Sequence, residues 1–377
     1  MRHRIAFWSA GLLLGLCPAA LGAQSTLPVY RGAPPRYAGV YRAATGEFVP
    51  AARGTRSGPA VLFNNTTRTT YYGVPGARQE WIDEGGLLDR NNCRSDQING
   101  FQFGYCSTQP DATQSGGTIV ITFYDETAVC TGPPDWPRVR CAYAVPDLPL
   151  GTATGGVQCW VVDVELEGGL ECPATLASSF RTEDAAGAQR LFGWGFAPLQ
   201  PNTGPRMAGP AYRTDNSFTW YDRTIGFFNG CFWFGGQPYA SFHMQLLGPQ
   251  PNSRVYRRMG QPRPLDRLVL RNTTPVDAAD PAPETWQVMN PRTGRRYWLL
   301  FSQRPQDRDA LGGRASLLVR LPFLVDPSPV EMPGGVYSSA LPAVIGIGEL
   351  FVQALETSGA PTPAHITAVS NGLAHCF

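Results

Sequence analysis

The chain contains no lysine, and all 31 of its basic residues are arginine. A GC-rich coding bias accounts for this more simply than selection for bidentate arginine contacts does, because the same bias explains the abundant Ala, Gly and Pro. Charge is scarce, at 16% of residues, and the net charge is only +2. With Arg spread along the chain and Arg257-Arg258 and Arg295-Arg296 as isolated pairs, nucleic acid is excluded as a partner. Histidine is also scarce, four in all with His3 in the leader, too few for a usual zinc or iron centre. There is no Gly-x-Ser-x-Gly elbow, no His-Glu-x-x-His, no EF-hand loop and no Cys-x-x-Cys pair. Those absences remove support for an α/β-hydrolase, a zincin, a calmodulin-type calcium site and a zinc ribbon. After the first residues no apolar run is long enough to span a bilayer.

What is present points outside the cytoplasm. Arg2, His3 and Arg4 precede an acid-free apolar run from Ile5 to Leu16, followed by Cys17-Pro18-Ala19-Ala20-Leu21-Gly22-Ala23. This is the order of a secretory signal peptide over 1–23, with cleavage after Gly22 or Ala23. Eight cysteines remain beyond it: Cys93, Cys106, Cys130, Cys141, Cys159, Cys172, Cys231 and Cys376. An even number behind a signal peptide reads as disulfides made in an oxidising compartment. The short intervals favour pairing Cys93 with Cys106, Cys130 with Cys141 and Cys159 with Cys172, each across a hairpin or loop. That leaves Cys231 with Cys376. The location expected is extracellular or cell-surface, with the periplasm as an alternative.

With 42 Gly and 35 Pro, long helical patterns are hard to find and short alternating runs are easy. Strands are expected at Gly117–Tyr124, Val157–Leu166, Tyr297–Phe301, Ala315–Arg320 and Glu349–Leu355. The fold class expected is all-β, with two β-sandwich or jelly-roll-like domains stabilised by disulfides. Residues 24–58 read as a loosely ordered lead-in, 59–247 as a disulfide-rich sandwich and 248–283 as a Pro/Arg-rich linker with one strand near Leu265–Leu270. Residues 284–377 read as a C-terminal sandwich.

Two stretches resemble known material. Ile347-Gly348-Glu349-Leu350-Phe351-Val352-Gln353-Ala354, with Ser370-Asn371-Gly372-Leu373 after it, resembles the closing pattern of a small C-terminal β-sandwich in secreted bacterial proteins. Phe101-Gln102-Phe103-Gly104-Tyr105, Phe123-Tyr124-Asp125, Pro146-Asp147-Leu148-Pro149 and Ala240–Leu246 are similar to the sandwich regions of such proteins. The resemblance implies fold. It transfers no catalytic residue, and this chain departs from the pattern in its wealth of cysteine.

Candidate sites follow from residue chemistry. Phe227 to Tyr239 holds six aromatic rings in thirteen residues, with Trp194, Trp220 and Tyr221 upstream. Exposed Trp and Tyr rings stack on sugars and anchor interfaces, so Trp220, Tyr221, Trp233 and Tyr239 are the candidate ligand-binding residues. Core packing is the competing reading. Asp163, Glu165 and Glu167 alternate along one strand and share a face, which leaves calcium open as a bound ion against an ordinary solvated surface. Asp83-Glu84, Asp125-Glu126 and Asp147 read as turn acids. His243, beside Phe242 and Met244, reads as structural.

No motif carries a mechanism, and no cofactor is called for. The function expected is therefore a secreted or cell-surface, non-enzymatic binding, adhesion or structural protein. Extracellular polysaccharide or a surface protein would be its partner, with self-assembly through sheet edges a third course. A carbohydrate-active hydrolase on a jelly roll is the rival from another class. Such an enzyme would need a pair of carboxylates, which sequence spacing does not identify.

Overall fold

In the computed structural model the residues described are 29–50, 60–76, 79–87, 95–125, 129–130, 138–167, 170–172, 180–181, 191–222, 227–232, 239–249, 253–256, 266–268, 270–272, 284–289, 291–302, 305–310, 315–319, 330–339, 349–360 and 362–376. No α-helix occurs among them, and the chain is all-β. Residues 1–23, expected to be a signal peptide, lie outside the described residues, and no described helix is long and apolar enough to cross a membrane.

The first half supplies β1 (Val29–Arg31), β2 (Arg36–Arg42), β3 (Glu47–Pro50), β4 (Ala60–Asn65), β5 (Arg68–Gly73) and β6 (Gln79–Gly86). Next come β7 (Ser95–Asp96), β8 (Gly100–Ser107), β9 (Gly117–Asp125), β10 (Arg138–Leu148), β11 (Gln158–Glu165) and β12 (Phe180–Arg181). Then follow β13 (Leu191–Pro198), β14 (Thr203–Ala208), β15 (Phe218–Asp222), β16 (Phe227–Phe232), β17 (Ser241–Phe242) and β18 (Met244–Gly248). Ten of these form one sheet, along the path β1-β5-β14-β8-β11-β2-β3, with β17 against β14 and β18 between β8 and β4. Six form a second sheet in the order β10-β9-β13-β6-β15-β16, and β7 pairs with β12.

The two large sheets pack face to face. Strand alternation turns Phe101, Phe103, Val162, Val164, Met244 and Leu246 of the ten-stranded sheet inward, where they meet Trp81, Ile121, Phe123, Trp194 and Phe196 of the six-stranded one. Phe63 meets Phe192 edge-on at 5.1 Å, Phe101 meets Phe123 at 5.2 Å and Trp194 meets Phe242 at 5.2 Å between ring centroids. Such pairs add about 0.5–1.5 kcal/mol each beyond area burial.

The second half supplies β19 (Ser253–Tyr256), β20 (Asp266–Leu268), β21 (Leu270–Asn272), β22 (Glu284–Val288), β23 (Arg296–Ser302) and β24 (Pro305–Ala310). It continues with β25 (Ala315–Val319), β26 (Val330–Glu331), β27 (Val336–Ser339), β28 (Glu349–Thr357) and β29 (Ile366–Cys376). A six-stranded sheet runs β19-β29-β28-β23-β26 with β20 also on β29, and a smaller one runs β21-β22-β27. Trp286 and Val288 of the smaller sheet join Leu299, Phe301, Val352 and Ala354 of the larger in one core.

Two segments differ from their expectation. The supposed lead-in contributes β1, β2 and β3, and β2 lies parallel to β11 inside the ten-stranded sheet. The supposed linker contributes β19 and β20 to the sheet built on β29, and β21 to the sheet built on β22. These strands are short and carry Arg and Pro, so their apolar signal is weak, and backbone pairing with a longer neighbour defines them.

The disulfides are also rearranged. Cys106 bonds Cys159, Cys130 bonds Cys231 and Cys141 bonds Cys172. Each overturns a pairing inferred from short sequence intervals. The reason is topological: β8 and β11 are antiparallel neighbours with Cys159 directly opposite Cys106, 3.9 Å between Cα atoms. Cys231 is taken by Cys130 and is not available to Cys376. Cys93 lies outside the described residues; Cys376 closes β29 opposite Glu349.

Candidate functional site

The aromatic candidates do not gather on one face. Trp220 stands opposite Trp81 in the β15–β6 register, and its ring stacks on Phe232 at 5.8 Å at the margin of the core. Its neighbour Tyr221 points to the other side of the sheet, opposite Glu80, because successive side chains alternate. Tyr239 is half-buried and donates its hydroxyl to the Thr214 carbonyl at 3.1 Å. Trp233 lies outside the described residues. Packing thus absorbs Trp220.

The acidic row on β11 alternates as its spacing requires. Val162 and Val164 are fully buried while Asp163 and Glu165 are half-exposed, and Glu167 follows the strand end. Asp163 accepts from the Tyr37 hydroxyl on Oδ2 at 2.8 Å and from Gln102 Nε2 on Oδ1 at 2.7 Å. Glu165 lies 3.5 Å from the Arg42 guanidinium, its partner in register on β2. Each Asp163 oxygen thus has one neutral donor, and Glu165 faces an arginine. Among the described residues no group of three or more His, Cys, Asp or Glu side chains is placed to hold a metal ion.

Asp163 instead ends a row that sequence reasoning missed. Gln102 is directly opposite Asp163, Gln245 opposite Gln102, and Asn64 opposite Gln245. Four side chains from β11, β8, β18 and β4 therefore form one line across the outer face of the ten-stranded sheet. Three strand spacings make it about 14 Å long. Asp163 only accepts, so the Gln102 amide nitrogen must face it and Gln102 Oε1 faces the other way. His243 Nε2 stands 3.4 Å from that oxygen, which makes Nε2 the protonated nitrogen. Gln245 Nε2 reaches Asn64 Oδ1 at 3.4 Å, while Gln245 Oε1 is buried with no partner among the described residues. Gly100 and Gly104 flank Gln102 on the same face of β8, and the His243 ring covers Gly104, where a Cβ would come within 2.9 Å of its Cγ. The one local signal for this row was polar residues alternating with apolar ones in Phe101-Gln102-Phe103 and Met244-Gln245-Leu246; their alignment depends on register between distant strands.

A second polar set is buried. Asp83 and Glu84, read as turn acids, lie inside β6 and are 0% and 6% exposed. The Asp83 carboxylate crosses to the other sheet, where it accepts from Ser241 Oγ and Phe242 N, each at 2.8 Å, and it also accepts from Glu84 N at 2.8 Å. Asn65 Nδ2 donates to Ser241 Oγ at 2.6 Å and extends the tie. Burial pushes the Asp83 carboxyl up to about 8 against these donors. Burial likewise raises Glu84 to about 7, and the backbone N–H of Val129, at 2.6 Å, and Arg213 work against the rise. Glu80, on the same face as Glu84, accepts from the Tyr124 hydroxyl at 2.8 Å. Asp125, also read as a turn acid, is buried and paired with Arg140. Asp147 sits within β10 at a bulge with φ +57°. Glu126 is outside the described residues.

The chain is thus a disulfide-linked all-β protein whose first half is a sandwich of two packed sheets. No family model, no curated protein and no solved structure matches it.

Proposed function

We propose that this protein is a secreted or cell-surface binding protein, not an enzyme, and that extracellular polysaccharide is its partner. The observation that supports this reading is the row Asn64–Gln245–Gln102–Asp163, a line of in-register polar groups on the outer face of a rigid sheet. Fixed amides and carboxylates on a scaffold of strands recognise hydroxyl-rich ligands with little ordering cost. Three disulfides suit an oxidising location, and the leader-like first residues agree with it.

The rival, a carbohydrate-active hydrolase, finds its best support in the carboxyls of Glu80, Asp83 and Glu84. Hydrogen bonds engage all three, and they are at most 6% exposed. An acid pair must flank a sugar in an open cleft, whereas these carboxyls are buried, with Asp83 facing the other sheet and Glu80 and Glu84 on the opposite side of β6.

The test is to pass the oxidised mature chain over immobilised polysaccharides and to score retention and released oligosaccharides together. Retention without products is the expected result. Released products would establish the hydrolase, and no retention on any polymer would sink the binding reading.

A further inference from the structure

We infer that the polar row is built for an uncharged glycan chain lying across the strands, a deepening that rests on the binding reading above. The direction follows from register. Residues opposite one another on neighbouring strands line up perpendicular to the strand axis, so a polymer touching Asn64, Gln102 and Asp163 must cross β4, β18, β8 and β11 in turn.

The chemistry selects hydroxyl groups. Each of the three amides carries both a donor and an acceptor, and Asp163 adds acceptors only. A sugar hydroxyl, itself donor and acceptor, can use the amide hydrogens of Asn64 and Gln102 that the row's mutual bonds leave over. Gln245 is 7% exposed, and its Oε1 is buried with no partner among the described residues. The row is therefore reached through Asn64, Gln102 and Asp163, the members a ligand can touch.

Charge excludes anionic polymers. Asp163 is the row's own charge. Arg42, on the same face, is engaged by Glu165 at 3.5 Å. A uronate or sulfate laid along the row would meet a carboxylate at one end and find no arginine or lysine among its four members.

The experiment compares the full oxidised chain on neutral polymers (a β-glucan, a mannan, a xylan) with polygalacturonate and alginate. The variants are Asn64→Ala, Gln102→Ala and Asp163→Asn, each first checked for an unchanged thermal melt. Neutral polymers should be retained and the anionic ones not. Asn64→Ala, at an exposed position that does not threaten folding, and Gln102→Ala should each weaken neutral binding about tenfold, the loss expected for a hydrogen bond to ligand. Asp163→Asn should let anionic polymers be retained. A preference for the anionic polymers overturns the charge selection while leaving a binding protein. Neutral binding unchanged in Asn64→Ala and Gln102→Ala overturns the row as the site. No retention at all is instead the failure of the binding reading itself.

Discussion

Replacing Asp83 by asparagine should change how the stability of the first sandwich depends on pH. Asp83 is fully buried where β6 faces β17, and burial lifts its carboxyl to about 8 although Ser241 Oγ, Phe242 N and Glu84 N all donate to it. In the unfolded chain the same group titrates near 3.9. A raised folded-state value means that the native state holds a proton the unfolded state has released. The stabilisation is complete below about pH 4 and is lost progressively as pH rises towards 8. One such proton corresponds to about 1.4 kcal/mol per pH unit, so the step from pH 5 to 7 removes about 3 kcal/mol as an upper bound. Glu84, raised to about 7, acts in the same direction. Asparagine has no proton to lose, and its single oxygen cannot serve Ser241 and Glu84 N together. Asp83→Asn should therefore be about 1–3 kcal/mol less stable at pH 5, with a slope between pH 5 and 7 roughly half that of the parent. Urea unfolding at half-unit pH steps, followed by the fluorescence of buried Trp81 and Trp194, measures both. A parent whose stability is flat or rises from pH 5 to 7, or a variant with the same slope, would show that Asp83 is ionised in the folded protein and refute the argument.

Three further outcomes are expected. Mass spectrometry of a non-reduced digest should join Cys106 to Cys159, Cys130 to Cys231 and Cys141 to Cys172, and a Cys231–Cys376 peptide would contradict the topology; loss of the bond that closes the 101-residue separation should cost roughly 4–5 kcal/mol. Gly195→Ala should destabilise by about 1–3 kcal/mol in thermal melts, because a methyl there overlaps the buried Glu80 carboxyl that Tyr124 holds; a melt within 1 °C of the parent would count against that placement. Asp111 pins the 111–116 loop. Burial opposes its ionisation, but donation from Thr113, Gly116, Leu150 and Gln114 outweighs this and holds its carboxyl below the usual range. Its contribution is present above about pH 4 and disappears as pH falls, so Asp111→Ala should lower the melting temperature at pH 6 and leave it nearly unchanged at pH 2.

Local periodicity carried the strands but not their partners. Val162, Val164 and Leu166 could be assigned to the core from alternation alone, and Gly117–Tyr124 was legible as a strand for the same reason. Asp83 and Glu84 were misread because carboxyls are seldom buried unless paired, and their partners come from distant strands; Gly85-Gly86 follows them. In the fold those glycines continue β6, and Gly85 makes room for the rings of Phe63 and Phe192. The polar row was hidden for a different reason: its members are 64, 102, 163 and 245, and only sheet order aligns them. Cysteine spacing failed likewise, since nearness along the chain says little when hydrogen-bonded neighbours are fifty residues apart.

The last strand of each half lies in the interior of its sheet. β18 slots between β4 and β8, and β29 is flanked by β28 on one side and by β19 and β20 on the other. Neither sheet can close before its last strand has been made. Partial chains are left with open ladders and unsatisfied edges, which slows folding and exposes them to aggregation. Each half therefore carries its own clock: the ten-stranded sheet waits for β18 and the sheet of the second half for β29, so the two can close one after the other as the chain lengthens.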